Sequence, residues 1–372
     1  MKVACLSNIS IGYGTPQIVY LTQSLARYAG DARPLLIEND QPERPARHGQ
    51  YPDLDIRRVP SPHHPYSRLG AVRYLNTASE MLDAHQPDIL ILPSTYCLPA
   101  LWLMKHRPRF VIYYVLEMPD AFGFTRDEFR LNLYSTDRID LAIYPEPNRA
   151  KIHIDTFGLH HVPGLILFNA PPRDDLLPLP SSERNGRLLY QGTIHEKLTR
   201  GDFFLDDVVQ GLPIDLYGIV DSRDDTFRDG IIKGRKGVRY KGYVDNVALR
   251  ALRRHYAFSI VYWNPINDNQ KFACPNKFFE SIADGVPPIS APHPQCRMLT
   301  EQYQLGLVMD DWSQESFTRS LEQAVELIGT PRYERMVRNC REAFERELNW
   351  DTQFEKVARM LDRMQERKQG VA

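Results

Sequence analysis

The stretch Cys274–Pro287, read CPNKFFESIADGVP, concentrates residue types that could bind an anion and a sugar side by side. Asn276 is a favoured N-cap residue, Gly285 a favoured residue just past a helix end, and Pro287-Pro288 forbid continuation, so a short helix is expected over 276–284. Phe278, Phe279 and Ile282 give it an apolar side; Asn276, Lys277, Glu280 and Asp284 make a polar one. Unpaired N–H groups at a helix start, with a lysine among them, attract phosphate. Glu280, one turn further in, repels phosphate and is suited instead to accept hydrogen bonds from sugar hydroxyls. Phosphate at one end with hydroxyls beside it describes a nucleotide diphosphate or a nucleotide sugar. The alternative is an amphipathic helix with a solvated polar face.

Other candidates follow predicted strands. Gly192-Thr193 comes directly after an apolar run, and a glycine there lets backbone approach a phosphate closely. Lys197 and Arg200 are the cations nearby, either of which could neutralise charge on a departing diphosphate, with Lys197 slightly favoured. Gly12-Tyr13-Gly14 follows the first strand and could bring the first helix to a phosphate or an acceptor. It lacks the third glycine of a dinucleotide fingerprint, although Glu38-Asn39-Asp40 end the second strand and keep that reading open. Glu117, or its neighbour Asp120, follows a strand and could orient or deprotonate a hydroxyl. His63-His64 and His160-His161 have no Cys or carboxylate at ligand spacing, and Asp53-Leu54-Asp55 reads as a turn, so no metal site is expected.

The elements that must hold these residues alternate between short β-rich runs and helical patterns, the signature of parallel α/β sheets. Strands are expected at 3–6, 35–37, 56–59, 89–92, 110–116, 141–144 and 165–168, with helices over 15–28 and 74–83. Segment 170–186, rich in proline and serine, reads as an interdomain boundary. The rhythm then restarts with strands at 188–191, 214–217, 238–241, 258–262, 288–291 and 307–309. Helical stretches fall near 202–210, 245–255, 276–284, 294–302 and 313–328, and the end from Arg332 to Lys368 is helical with a break at Asn349-Trp350-Asp351. Doubly wound domains bind ligands outside the carboxyl ends of their strands, which is where every candidate above lies.

With 372 residues the chain is long enough for two domains. A hydrophobic fraction of 42% and a charged fraction of 25% are those of a water-soluble globular protein. The net charge of −1, with both signs spread evenly, offers no footprint for nucleic acid. Five widely spaced cysteines, none in a CxxC pair, argue against a disulfide framework or a zinc site. The apolar start Met1–Leu6 is too short for a signal peptide, and no apolar run reaches a transmembrane span, so a cytoplasmic protein is expected.

Four segments carry a resemblance to the GT-B fold glycosyltransferases, specifically the retaining nucleotide-sugar enzymes of family 4. Ser7–Pro16 resembles the family's glycine-rich turn, and Leu165–Pro171 its strand-Asn-Ala-Pro exit from the first domain. Leu189–Lys197 is similar to the loop opening the second domain, and the 276–287 stretch to the donor helix. The resemblance implies an α/β fold of GT-B type: two Rossmann-like doubly wound domains facing a central cleft, with a C-terminal helix crossing back. It places an acceptor domain at 1–172 together with helix 351–372, a linker at 173–186 and a donor domain at 187–350.

For individual residues, the resemblance implies that Glu280 binds the ribose hydroxyls while Asn276, Lys277 and Phe278 hold the diphosphate. Gly192, Thr193, Lys197 and Arg200 would sit at the departing phosphates, and Tyr243-Val244 at the nucleobase, uracil or guanine. Lys277, Lys197 and Glu117 would carry catalysis, with Gly12, Tyr13, Gly14, Glu117 and Asp120 towards the acceptor or the phosphates. Two positions depart: Phe272 stands where the family has the first of two paired glutamates, and Thr193 where an arginine follows the loop glycine. Asp268 or Lys271 could supply sugar contacts instead. The function implied is transfer of a sugar from a nucleotide-diphosphate sugar to a sugar, lipid-linked or small-molecule acceptor, with retention and with neither metal nor cofactor; a homodimer is compatible with it. The alternatives are a sugar-nucleotide epimerase of the same fold and a nucleotide-sugar-binding protein without turnover.

Overall fold

The computed structural model describes residues 1–41, 43–60, 67–118, 133–174 and 178–370. Asp120 and the His63-His64 pair lie outside them. The chain divides into two units, Met1–Leu167 with Phe354–Ala372, and Phe168–Gln353.

The first unit is a seven-stranded parallel sheet in the order β3-β2-β1-β4-β5-β6-β7. Its strands are β1 (Val3–Ser7), β2 (Leu35–Asn39), β3 (Asp55–Val59), β4 (Ile89–Leu92), β5 (Phe110–Tyr114), β6 (Leu141–Tyr144) and β7 (Gly164–Ile166). Its helices of eight or more residues among the described residues are α1 (Gln17–Ala29), α2 (Arg68–His85) and α3 (Pro147–Phe157). Strands covered on both faces need unbroken apolar runs, and β1, β4, β5 and β6 are buried at every residue. Cys5 is in register with Leu36 on one side and Ile91 on the other, so the strand order reverses at β1 and the loop after Ser7 opens at the switch point.

The second unit repeats the plan with six parallel strands in the order β10-β9-β8-β11-β12-β13. These are β8 (Leu188–Gln191), β9 (Ile214–Tyr217), β10 (Arg239–Gly242), β11 (Phe258–Val261), β12 (Pro288–Ser290) and β13 (Leu307–Val308). The helices of eight or more residues are α4 (Asp225–Lys233), α5 (Asn246–Arg253), α6 (Asn276–Ala283), α7 (Pro294–Tyr303), α8 (Gln314–Leu327) and α9 (Pro331–Arg346), followed by α10 (Trp350–Gly370). Here the order reverses between β8 and β11. The loop after Gln191 and the segment between β11 and α6 therefore share the switch point.

Asn349 breaks the C-terminal helix by turning into a cap: its Oδ1 accepts from Thr352 N at 2.9 Å. From Phe354 onwards α10 belongs to the first unit, where Tyr28 Oη donates to Asp362 at 2.6 Å and Lys368 Nζ to Asp140 at 2.8 Å. The described part of segment 173–186, read as linker, packs inside the second unit. Arg184 donates to the carbonyl of Gly285 at 2.9 Å, and Arg341 to that of Leu179 at 2.5 Å. The helix expected near 202–210 is two 3-10 turns, Gly201–Leu205 and Val209–Gly211. Asp206 Oδ1 takes the Val208 and Val209 N–H groups, offering the backbone a local alternative to helix. Helices α3 and α4, absent from the pattern reading, start on Glu146 and Asp224 caps and stop at Gly158 and Gly234. Among the described residues no helix is long and apolar enough to cross a membrane.

Candidate functional site

Helix α6 begins at Asn276 with Pro275 as its flanking residue (φ −66°, ψ 130°), so Asn276 is the first helical residue and not the cap expected for it. Proline fixes an extended entry and has no side-chain acceptor, and no side chain caps this end. The other end closes as expected. Gly285 lies in the left-handed region at φ +66°, its N–H donates to Ile282 O at 2.9 Å, and Val286 N–H reaches Ser281 O at 2.8 Å, a Schellman pattern. The buried Asn169 fixes the approach to the helix by donating to Cys274 O at 2.9 Å. That bond is the structural use of the Asn-Ala-Pro motif.

The polar side of α6 is not solvated. Lys277 is 8% exposed, and its ammonium makes no hydrogen bond or ion pair to any described residue. It lies 4.4 Å from the ring centre of Tyr190 and 5.5 Å from that of Trp263, two cation–π contacts. Burial lowers its pKa to about 7, against an opposing pull from Glu280. A Cβ placed on Gly192 would stand 3.7 Å from Nζ, so the lysine points at the glycine loop after β8.

Glu280 is held by one oxygen only. Oε2 accepts from Gln191 Nε2 at 2.7 Å and Arg253 Nη1 at 2.9 Å, while Oε1 accepts nothing from a described residue. Asp284 is sealed, its Oδ2 at 2.5 Å from Arg253 Nε. Burial raises the Asp284 pKa, and Arg253 opposes that rise. Phe278 faces the core at 0% exposure, and its N–H already donates to Pro275 O at 3.0 Å. It therefore offers no group to a diphosphate.

Beside Gly192 three adjacent strands each meet a glycine of positive φ: Gly192 (+120°) after β8, Gly218 (+146°) after β9, and Gly242 (+80°) ending β10. Two backbone bonds lock them together, Gly192 N to Tyr217 O and Gly218 N to Gly242 O, both 2.9 Å. The approach is so close that a Cβ on Gly218 would fall 1.7 Å from Gly192 O. The resulting ledge forms part of a pocket of about 150 Å³ that also takes in Thr193, Ile219, Tyr243, Val244 and Leu249. Gly192, Thr193, Tyr243 and Val244, up to 52 residues apart in sequence, thus converge on one cavity.

The remaining candidates divide. Lys197 is exposed, with its ammonium unpaired among the described residues. Arg200, in the left-handed region at φ +49°, is committed to Asp202 at 2.8 Å and packs on Phe203 at 4.1 Å. Its charge is already paired, which removes it as the free cation. Among the described residues no group of three or more His, Cys, Asp and Glu side chains is placed to hold a metal ion.

In the first unit Glu117 is partly exposed, with Arg149 at 3.9 Å. Gly12 and Gly14 both have positive φ (+88° and +105°). Tyr13 between them is covered by Arg47 at 4.1 Å and donates to Pro45 O at 2.9 Å. Glu38, with no exposed surface, accepts from Ile11 N at 2.6 Å and lies 2.7 Å from both His48 and Arg58. A carboxylate so fully used braces the glycine turn and cannot serve a ribose. This removes Glu38 from the dinucleotide reading left open by the sequence.

Gln191, Arg253, Tyr190, Trp263 and Gly218 were missed. Gly218 carried the same signal as Gly192, a glycine directly after a predicted strand. Arg250 and Arg253, three apart on α5, match the four-residue spacing of Glu280 and Asp284 on α6, but only strand order shows that the two helices face each other.

Two doubly wound parallel sheets, with the terminal helix returned to the first unit, define the GT-B fold. Solved structures of that fold superpose over nearly the whole chain. Sucrose-phosphate synthase from Thermosynechococcus elongatus matches with a TM-score of 0.70 at 14% identity, covering 100% of both chains. Anabaena HepE, crystallised with UDP and glucose, gives 0.69 at 13% identity over 97% of this chain and 99% of that one. WaaG, a glycosyltransferase involved in lipopolysaccharide biosynthesis, gives 0.65 at 15% identity over 96% and 98%. No protein-family model and no curated protein sequence matches the chain.

Proposed function

We propose that this protein is a glycosyltransferase that moves a sugar from a nucleotide diphosphate to an acceptor hydroxyl. The observation that carries the reading is the buried, unpaired ammonium of Lys277 aimed at the Gly192 loop, one helical turn from a carboxylate with an unused oxygen. A diphosphate at Gly192 supplies the missing counter-charge. Glu280 Oε1 takes the ribose hydroxyls, and the pocket walled by Tyr243, Val244 and Ile219 takes the base. Support comes from similar folds solved with UDP and glucose and with UDP-2-fluoro glucose.

As the glycosidic bond to phosphate breaks, negative charge grows on the leaving diphosphate. Lys277 and the start of α6 are in place before the reaction to stabilise it, with Lys197 as an exposed cation that can close on it. Glu117, in the first unit, is the group assigned to orient the acceptor hydroxyl. Because the leaving group is stabilised electrostatically on the donor side, transfer with retention fits this arrangement without a protein nucleophile.

The test is thermal. UDP, GDP or one of their sugars at a hundredfold excess over Kd is expected to raise Tm by roughly 5–10 °C, since ligand binding only the folded state stabilises it by about 2.7 kcal/mol. Glu280→Ala is expected to remove most of that rise. No rise with any uridine or guanosine nucleotide would sink the reading, and a full rise in Glu280→Ala would move the ribose elsewhere.

A further inference from the structure

We propose that Arg253 is the positioning residue that aims Glu280, and through it sets a preference for ribose hydroxyls in the nucleotide. The inference rests on the reading of Glu280 as the ribose acceptor. Arg253 is the last residue of α5 and is 3% exposed. The guanidinium reaches both acids of α6 through different nitrogens: Nε is 2.5 Å from Asp284 Oδ2, and Nη1 is 2.9 Å from Glu280 Oε2. The same Nη1 donates to Gln191 Oε1 at 3.1 Å, and Gln191 Nε2 donates to Glu280 Oε2 at 2.7 Å. Glu280, Arg253 and Gln191 thus form a closed triangle that binds one oxygen of the carboxylate and turns the other outward.

Asp284 has a purpose here that a solvated helix face would not need. It is 1% exposed and can remain charged because Arg253 bonds it and Arg250 stands 3.8 Å away. Arg250 in turn pairs with Asp174. The chain Asp174–Arg250–Asp284–Arg253 anchors the far side of the guanidinium, so Nη1 has a single direction in which to hold Glu280. A carboxylate fixed by charge-assisted bonds loses little freedom when it accepts from hydroxyls, and that pre-organisation is what a free glutamate lacks.

The experiment compares affinities by calorimetry on the full chain, using whichever of UDP or GDP gives the larger thermal rise, and its 2′,3′-dideoxy counterpart. The parent is expected to favour the ribonucleotide by roughly 10- to 100-fold, the range for hydrogen bonds to a charged group. In Arg253→Met that ratio is expected to fall towards one. Arg253→Lys, which keeps the charge but not the fork, is expected to lie between. Since Arg253→Met strands Asp284 in the interior, the double variant Arg253→Met/Asp284→Asn provides the same comparison without a buried unpaired charge. A general loosening of the fold would weaken both nucleotides alike and leave the ratio intact, and that outcome overturns the proposal. A parent that does not discriminate between the two nucleotides would instead refute the ribose role of Glu280, a failure distinct from the first.

Discussion

Lys277→Met is expected to abolish nucleotide-diphosphate binding while leaving the unliganded protein more stable than its parent. The methionine keeps the apolar stem between Tyr190 and Trp263 and removes an ammonium that has no counter-ion. Even a buried ion pair can be replaced by apolar residues of similar volume at no cost or with a gain of about 1–4 kcal/mol, and a buried ammonium without a counter-ion has less to lose. The sign of the pH dependence follows from linkage. The lysine titrates near its ordinary value of 10.5 when unfolded and at about 7 when folded. Between those values the unfolded chain holds a proton that the folded one lacks, so stability rises with pH through this window. Below 7 the penalty is present in full, so the advantage of Lys277→Met is greatest at pH 6 and shrinks by pH 9. Urea denaturation at the two pH values measures it.

The same shift makes binding proton-linked. At pH 8 the Lys277 side chain is mostly the neutral amine in the free protein, and a diphosphate beside it restores the charge. Calorimetry of a nucleotide sugar in buffers of different ionisation enthalpy is expected to show uptake approaching one proton per ligand at pH 8, and little at pH 6. Undiminished binding by Lys277→Met, or no proton uptake at pH 8, would place the diphosphate elsewhere.

Gly218→Ala is expected to cost more stability than any other single methyl group added to the second unit's strand ends. The new Cβ would stand 1.7 Å from the carbonyl oxygen and 2.7 Å from the carbonyl carbon of Gly192, and φ at +146° is strained for any L side chain. Both neighbours are backbone, so no rotamer relieves the overlap. The loops after β8 and β9 must part, breaking the Gly192–Tyr217 or Gly218–Gly242 bond and opening the pocket floor. A loss of about 3–5 kcal/mol follows, or roughly 6–20 °C in Tm. Gly211→Ala is the control: a Cβ there meets nothing within 4 Å, and its φ is not positive. Equal melting temperatures for the two variants would contradict the close approach of Gly192 and Gly218.

Much of the scaffold was legible because its signals are local. Parallel strands covered on both faces must be apolar throughout, and β4, β8 and β9 have the bounds read from their runs alone. Gly285 stops α6 because only the left-handed region lets its N–H and that of Val286 reach back to Ile282 and Ser281. The lysine-and-glutamate pair of α6 was legible from spacing, as residues three apart share a helix face. Helices α3 and α4 were not, since each is announced chiefly by an acidic cap.

Charge is where the one-dimensional reading stopped. Lys277, Asp284 and Glu38 look solvated in sequence and are buried, while Arg200 looks free and is spent on Asp202. Arg253, 27 positions before Glu280, carries no mark that would name its partner. Apolar periodicity and turn chemistry are set by near neighbours along the chain. Which charge loses its water, and which opposite charge meets it, depends on the strand order β10-β9-β8-β11-β12-β13, which sets the end of α5 against α6 and Gly192 against Lys277.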